Sequence, residues 1–181
     1  MPSRYDDELW ELVPHERRPP AEIAQWLQSL APARHALDLG CGDGALSAAI
    51  RATRLTLADV SRVALERARA RLPEADAAEI APDAPLPFAD GSFDLVVCTE
   101  VLEHVRDVQL LLSGVRRVLE PSGRLAVTTP AHAPLMRVPD PLSPHLRFFT
   151  RHSLAVLLSQ MGFEVRSLRR RAGGLFALVS R

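Results

Sequence analysis

Three glycines at alternate positions could form a ligand-binding loop. Gly40, Gly42 and Gly44 directly follow a short apolar run that we predict to be a strand. Because glycine has no Cβ atom, such a segment can turn tightly and bring its backbone close to a ligand. Gly40 and Gly42, with Ala45 in the last position, also satisfy the dinucleotide fingerprint. The spacing alone therefore leaves two classes of ligand open.

Two acids in this segment favour one of those classes. Asp38 and Asp43 flank the first glycines, so a bound pyrophosphate would face like charges in a partly desolvated site, which is costly. A ligand with an ammonium group and a sulfonium, and without phosphate, is favoured by the same acids. We therefore expect S-adenosylmethionine as the cofactor. The alternative is an NAD-dependent oxidoreductase, for which the sequence shows no hydride-transfer site.

A third acid stands where a ribose contact is expected. Asp59 ends the second predicted strand, at about the 20-residue spacing from Gly40 at which an acid accepts hydrogen bonds from ribose hydroxyls. The alternative role of Asp59 is to cap a helix next to Ser61. We favour the ribose contact because the glycine loop and the acid occur together.

A second group of reactive side chains follows the predicted strand at residues 93–98. If a helical turn begins at Glu100, then Glu103 and His104 lie on the same face as Glu100, and His145 could join them from a later loop. Carboxylates and imidazoles together can bind a divalent cation, Mg²⁺ or another. Alternatively, His104 acts as a base without a metal, because its ordinary pKa suits proton removal near neutral pH.

The composition excludes several other kinds of chemistry. All 22 basic residues are arginines, and the sequence contains no lysine. A Schiff-base lysine and a phosphate-loop lysine are therefore both excluded. Tyr5 is the one tyrosine, and the Tyr-Lys pair of short-chain reductases is excluded as well. A site built from glycines, acids and histidines is compatible with this composition.

Short apolar runs and amphipathic segments alternate along the chain. The apolar runs are largely continuous, which suits strands buried on both faces of a parallel sheet. Ser61, Asp107 and Thr150 each precede a segment of helical periodicity and are predicted to cap a helix. This alternation predicts a doubly wound α/β domain. The predicted strands cover residues 36–39, 55–58, 93–98, 125–129, 163–168 and 175–179.

Two segments do not fit this alternation. Residues 1–30 are predicted to form a helical lid, in which Tyr5 and Trp10 could close over the cofactor. Residues 130–150 begin with a proline-rich stretch and are predicted to form a loop on the acceptor side. Ligands of open α/β sheets bind beyond the carboxyl ends of the strands, so we expect both segments to grip the acceptor. The arginines at 169–171 are predicted to form a solvated turn.

Length and charge favour a single domain over residues 1–181 that acts on a small molecule. The net charge is zero, which gives no reason to expect a nucleic acid or an anionic membrane as partner. Cys41 and Cys98 stand apart in apolar surroundings, as free thiols in a reducing compartment do. We find no secretory signal and no apolar run of about 18 residues. We therefore expect a cytoplasmic protein, either a monomer or a homodimer.

Together, these motifs resemble the class I S-adenosylmethionine-dependent methyltransferases, and in particular the small single-domain type of the methyltransferase 11/23-like family. The resemblance implies a Rossmann-like, doubly wound sheet of seven mostly parallel strands with an antiparallel last strand. The segments that carry it are residues 37–44, Asp59, 86–94, 100–105, 145–150 and 162–165.

The resemblance also implies roles for individual residues. The glycine loop would hold the methionine part of the cofactor and Asp59 the ribose. Either Asp83 or Glu79 would contact the adenine amino group, and we favour Asp83. Thr99 to Val101 would face both cofactor and acceptor. The implied cofactor contacts are Asp38, Gly40, Cys41, Gly42, Gly44, Asp59, Val60, Asp83, Ala84, Thr99, Glu100 and Val101.

On the acceptor side, the sequence lacks the Asp/Asn-Pro-Pro-aromatic motif of enzymes that methylate DNA bases or protein glutamine. This argues against those two substrates. We expect a small-molecule acceptor, with oxygen favoured over nitrogen and methyl transfer by direct displacement. His104 and His145 are the candidate catalytic residues. Metal-dependent relatives with similar motifs methylate one of two vicinal hydroxyls, as in catechols or RNA ribose, and would use Glu100, Glu103, His104 and His145 as ligands. A non-catalytic relative that binds the cofactor is a further alternative.

Overall fold

The computed structural model describes residues 4–15, 18–131, 145–171 and 174–181. Helices and strands alternate along most of this chain, as the sequence predicts. In chain order the elements are α1 (Arg4–Leu12), α2 (Ala21–Ser29), β1 (Ala33–Leu39), β2 (Ala52–Asp59), α3 (Arg62–Arg71), β3 (Asp76–Glu79), β4 (Phe93–Thr99), α4 (Val108–Val118), β5 (Leu119–Pro130), α5 (Arg151–Gln160), β6 (Glu164–Arg171) and β7 (Gly174–Ser180).

The strands form one seven-stranded sheet in the order β3-β2-β1-β4-β5-β7-β6. The first five strands of this order run parallel, whereas β7 is antiparallel to both β5 and β6. This confirms the predicted Rossmann-like, mostly parallel sheet with an antiparallel last strand. The strand order reverses between β1 and β4, which is where open α/β sheets bind ligands beyond the carboxyl ends of their strands.

The sheet is buried on both faces. Leu37 of β1 and Val96 of β4 pack on one face with α4 and α5. Their neighbours Ala36 and Leu95 pack on the other face, against α2. Because successive side chains of a strand point to opposite faces, both sets must be apolar. This explains the continuous apolar runs of the sequence.

The three predicted helix caps are confirmed. The Ser61 hydroxyl accepts a hydrogen bond from the Ala64 N–H at the start of α3. The Asp107 carboxylate accepts from two backbone N–H groups of α4, and Thr150 forms a reciprocal capping box with Ser153 in α5. These bonds satisfy donors that the first turn of a helix leaves without partners.

The glycine loop is followed by a short helical turn rather than by an α-helix. Between the loop and β2, the chain forms only a 3₁₀ turn at Ser47–Ala49. Strand β2 begins at Ala52, three residues before the predicted start. The fifth strand is also longer than predicted, because it begins at Leu119 rather than Leu125.

The predicted solvated turn at residues 169–171 is wrong. Arg169, Arg170 and Arg171 continue β6 and pair with Phe176, Leu175 and Gly174 of β7. A strand at the edge of a sheet accommodates charged side chains readily, so these residues suit both a turn and an edge strand. Residues 172–173, which connect β6 to β7, lie outside the described residues.

The predicted loop at residues 130–150 is described only at its two ends, because residues 132–144 lie outside the described part. An isolated parallel bridge joins Ala131 to Phe149 and brings these ends together. Among the helices that the structure describes, none has both the length and the apolar character needed to cross a membrane.

Candidate active site

The glycine loop wraps around the carboxyl end of β2. Gly40, Gly42 and Gly44 all adopt positive φ angles, of 77°, 55° and 75°, which glycine tolerates best. The N–H groups of Gly40 and Cys41 both donate to the Ala58 carbonyl, at 2.7 and 3.1 Å. The buried Cys41 thiol donates to the Gly42 carbonyl at 3.6 Å. Backbone hydrogen bonds to β2 therefore hold the loop in place.

Two of these glycines are in close contact with side chains from other elements. A Cβ on Gly40 would overlap Val101, just beyond the end of β4. A Cβ on Gly42 would lie 2.7 Å from the Trp10 ring of α1. The structure thus brings the loop together with Val101, one of the predicted contacts, and with Trp10 of the predicted lid.

Asp38 is a buried carboxylate whose hydrogen bonding is incomplete. Its Oδ2 accepts from the Ser47 hydroxyl at 2.5 Å, whereas its buried Oδ1 has no partner among the described residues. Burial raises the pKa of Asp38 to about 7, because it outweighs the Ser47 hydrogen bond and the nearby Asp59 acts in the same direction. An unpaired buried oxygen is costly, and a cationic ligand group would satisfy it.

Asp59 organises the loop and the start of α3 together. Its Oδ2 accepts from the Gly42 N–H at 2.8 Å, and its Oδ1 accepts from the Ser61 N–H at 2.9 Å. Burial raises the pKa of Asp59, while these backbone hydrogen bonds oppose the rise. The alternative considered for Asp59, a bond near the start of α3, is therefore present. Its contact with a ribose stays a prediction.

Asp43, the other loop acid, has partners within the protein. Its carboxylate lies 3.2 Å from the Arg71 guanidinium and also accepts from the Ala45 N–H. Because Arg71 offsets the charge of Asp43, Asp38 is the loop acid that most disfavours a bound pyrophosphate. Ser47 and Arg71 could not be predicted from the sequence, because their spacing follows no motif and they reach the loop only through the fold.

Helix α1 is attached to α3 through an acid. Asp7 Oδ1 accepts from the Ser61 hydroxyl at 2.7 Å and from the Val63 N–H at 3.2 Å. The Ser61 hydrogen bond is the main reason that the pKa of Asp7 lies below its usual range. Arg67 adds a hydrogen bond from α3 to the Val13 carbonyl. These bonds place Trp10 against the glycine loop.

We expect Asp7→Ala to loosen α1. Removing a side chain that caps backbone donors costs about 1 kcal/mol, so amide hydrogen exchange within α1 should accelerate about fivefold. Glu11→Ala, an exposed change in the same helix, is the matched control. Mass spectrometry of deuterium uptake measures both variants, and equal uptake in the two would contradict the role of Asp7.

The segment after β4 turns sharply at Glu100. This residue has a φ of 54°, so the helical turn predicted to begin there does not form. The Glu100 N–H donates to the Thr128 carbonyl, and the Glu100 carboxylate accepts from the Thr128 hydroxyl at 2.8 Å. Burial raises the pKa of Glu100. Thr99, the preceding predicted contact, is buried at the end of β4.

Three of the four predicted metal ligands converge. Ligand atoms of Glu103, His104 and His145 lie within 4.8 Å of one another. Glu103 is almost fully buried, with Oε2 accepting from the Thr129 hydroxyl at 3.0 Å. Its Oε1 lies 3.9 Å from His104 Nε2 and has no hydrogen-bond partner among the described residues. Glu100 is outside this group.

The surroundings of this cluster explain its geometry. Burial, and then the charge of Glu100, raise the pKa of Glu103 to about 7. The Leu146 N–H donates to the Glu103 carbonyl at 2.8 Å, which places the loop before α5 beside the end of β4. The His104 and His145 rings are edge-to-face with centroids 4.8 Å apart. The cluster thus combines one carboxylate with two imidazoles.

The two candidates for the adenine contact occupy different positions. Glu79 ends β3 and pairs in register with Asp59. Asp83 lies beyond the strand, in an exposed turn with a φ of 53°, next to the half-buried Ala84. Val60, directly after Asp59, is half-buried. Both acids remain candidates for the adenine contact.

Known proteins resemble this chain over most of its length. The profile of the methyltransferase domain family matches residues 9–168. A probable S-adenosylmethionine-dependent methyltransferase of Mycolicibacterium smegmatis is 35% identical over 147 residues, covering 79% of this chain and 57% of that protein. A ubiquinone biosynthesis O-methyltransferase of Ralstonia nicotianae is 36% identical over 112 residues, covering 58% of this chain and 47% of that protein.

The fold is shared with solved structures. A 1,6-didemethyltoxoflavin-N1-methyltransferase of Burkholderia thailandensis, solved with its substrate and S-adenosylhomocysteine, superposes with a TM-score of 0.71 at 22% identity, covering 99% of this chain and 84% of that one. The present chain spans about half the length of the two relatives named above. From the family match and the sheet order together, the chain belongs to the methyltransferase domain family and to its S-adenosylmethionine-dependent class I.

Proposed function

We propose that the protein transfers the methyl group of S-adenosylmethionine to an oxygen atom of a small molecule. The observation that supports this most strongly is Asp38 Oδ1, a buried oxygen without a hydrogen-bond partner in the described structure, beside a loop of positive-φ glycines. This arrangement fits the ammonium group of the cofactor's methionine part. It is unfavourable for a pyrophosphate, which would add negative charge next to Asp38 and Asp59.

The remaining cofactor contacts follow from the positions of the predicted residues. Asp59 holds the ribose hydroxyls at the end of β2, with Val60 beside it. Asp83 and Ala84 contact the adenine. Thr99, Glu100 and Val101 border the methionine part from the end of β4. In this proposal Cys41 serves through its backbone, because burial holds the pKa of its thiol well above the usual range and so disfavours a nucleophilic thiolate.

The proposed mechanism depends on positioning. When bound, the cofactor would supply an electrophilic methyl group on a sulfonium. The acceptor oxygen would bond to that methyl carbon as the carbon–sulfur bond breaks, which releases S-adenosylhomocysteine without a covalent enzyme intermediate. The chain's part is to hold the two reactants in line within a pocket from which water is excluded. His104, with His145 beside it, receives the proton that the acceptor hydroxyl loses. Helix α1, through Trp10, covers the methionine end.

We expect His104→Ala to lower kcat about 100-fold, the usual contribution of a positioned base. The affinity for S-adenosylhomocysteine should stay within about twofold, because His104 contacts the acceptor rather than the cofactor. His152→Ala, an exposed change in α5, is the control. Steady-state kinetics and calorimetry separate the two effects, and an unchanged kcat would remove His104 from the mechanism.

A metal-assisted version of this reaction is a second candidate, which the convergence of Glu103, His104 and His145 favours. One carboxylate and two imidazoles suit Zn²⁺ or Fe²⁺ better than Mg²⁺, which prefers oxygen ligands. Glu103, His104 and His145 would hold such an ion, which would lower the pKa of the acceptor hydroxyl. Full activity after EDTA treatment, together with full activity of Glu103→Gln, would exclude it.

The acceptor is proposed to be a small hydroxylated molecule. The name of the Ralstonia nicotianae relative, an O-methyltransferase, supports oxygen over nitrogen. A screen of phenols, catechols, carboxylic acids and amines with a methyl-labelled donor, with and without divalent cations, tests this directly. Labelling of amines alone would contradict the proposed acceptor. Binding of the cofactor with no methyl transfer to any compound would favour a non-catalytic relative.

A further inference from the structure

The outer edge of the sheet carries a concentration of positive charge. Strand β6 is the last strand in the sheet order and pairs only with β7 in the described structure. The side chains of Arg169, Arg170 and Arg171 make no hydrogen bond or ion pair with any residue that the structure describes, and all three are exposed. The whole chain has no net charge, so this edge is a local departure from an otherwise balanced surface.

A cavity lies beside this edge on each face of the sheet. The first, of about 570 Å³, lies between α5 and β6 and is lined by residues that include Arg151, His152 and Arg166. The second, of about 160 Å³, lies between α2 and β6 and is lined by residues that include Trp26, Arg169 and Arg171. Ser167 lines both cavities, and neither lining contains an acid.

We propose that the free edge of β6 binds an extended, acidic segment of a partner protein as an additional strand. When a peptide adds to a sheet edge, main-chain hydrogen bonds supply affinity and pockets for alternate side chains supply specificity. Successive side chains of an added strand would point to opposite faces, toward the two cavities. On one face, Arg169 and Arg171 in the second cavity would pair with carboxylates of the segment. On the other face, its apolar side chains would meet Ala155, Val165 and Leu168 in the first cavity.

The charges also decide against a second copy of this chain at the same edge. Two β6 strands side by side would place two runs of arginines against each other, and like charges on paired strands are destabilising. The backbone irregularity between Val165 and Ser167 further restricts pairing to residues 167–171. Arginines on an edge discourage association with neutral or basic strands, whereas an acidic segment is attracted to them. The edge therefore favours acidic strands over neutral or basic ones.

Fluorescence anisotropy with a labelled ten-residue peptide of alternating Glu and Val tests the proposal at low salt. We expect saturable binding to the full chain, and protection from hydrogen exchange of those amides within residues 167–171 that face away from β7. A peptide with proline at two central positions should fail to bind, because proline cannot complete a ladder. The same affinity for both peptides would overturn the proposal, since simple charge attraction would then suffice.

Charge-matched variants provide the second arm. Arg169→Gln/Arg171→Gln and Arg18→Glu each lower the net charge by two, and Arg18 is exposed and lies outside both cavity linings. We expect about fivefold weaker binding for the first and no change for the second, with S-adenosylhomocysteine binding unaffected in both. Equal loss in the two variants would contradict the proposal. So would tighter binding of a ten-nucleotide single strand with the same dependence on Arg169 and Arg171.

Discussion

Gly40→Ala is expected to weaken the binding of S-adenosylhomocysteine about 100-fold. The new methyl group would overlap the Val101 side chain, and the backbone would keep a φ of 77° that alanine adopts only under strain. Overpacking and strain of this kind together cost about 3 kcal/mol, which corresponds to about two powers of ten in affinity. Isothermal calorimetry measures the change.

Gly91→Ala is the matched control for this prediction. Gly91 also has a positive φ, of 62°, but a Cβ there would approach nothing closer than 3.9 Å. Both variants therefore carry the backbone strain, and only Gly40→Ala adds the overlap beside the proposed cofactor site. Equal affinities in the two variants would show that the contact between the glycine loop and Val101 does not shape this site.

Asp38→Asn is the second change with a large expected effect. Loss of a buried charge that pairs with a ligand cation costs about 2–5 kcal/mol, so the affinity for S-adenosylhomocysteine should fall at least about 30-fold. Asp43→Asn is the control, because Asp43 already pairs with Arg71. We expect less than about threefold change for it. A larger effect at Asp43 than at Asp38 would reverse the assignment of the two acids.

The same acid makes cofactor affinity depend on pH. In the free protein the pKa of Asp38 is about 7, whereas the bound ammonium group favours the ionised carboxylate. Binding below pH 7 therefore releases a proton, and affinity should fall by up to about tenfold for each further unit of acidification. Calorimetry in buffers of different ionisation enthalpy counts the protons. No release at pH 6 would contradict the buried, unpaired state of Asp38.

The effect of Asp38 on stability has the opposite sign. A carboxyl whose pKa is raised by folding binds more protons in the folded than in the unfolded state between about pH 4 and pH 7, so its contribution to the free energy of unfolding falls as the pH rises through that range. Asn does not titrate, so it adds no such pH dependence to the free energy of unfolding. The Tm of Asp38→Asn minus the Tm of the wild type should therefore increase from pH 5 to pH 8, although the variant binds the cofactor poorly.

The sequence was sufficient for the fold because its signals are local and agree with one another. Continuous apolar runs predict buried parallel strands, and Ser61, Asp107 and Thr150 each cap the helix that they were expected to cap. Element lengths were less accurate. The three arginines of β6 have a composition that suits a turn as well as an edge strand, and only their pairing with β7 distinguishes the two.

The site was predictable where spacing carries the information. The glycine loop and Asp59 meet as expected, and so do Glu103, His104 and His145. Contacts between distant segments could not be predicted. The sequence gives no indication that Arg71 neutralises Asp43 or that Ser47 occupies one oxygen of Asp38. The positive φ of Glu100 could not be predicted from periodicity either. The prediction assumed a helical turn that begins at Glu100, and this φ prevents that turn.

This glycine loop is proposed to accept a cationic, phosphate-free nucleoside rather than a dinucleotide. Calorimetric titration of the wild-type chain at pH 7.5 with S-adenosylmethionine, S-adenosylhomocysteine and NAD tests it most directly. We predict saturable binding of the two adenosyl compounds with one site per chain and no measurable heat from NAD. Saturable binding of NAD, with no binding of either adenosyl compound, would contradict the account.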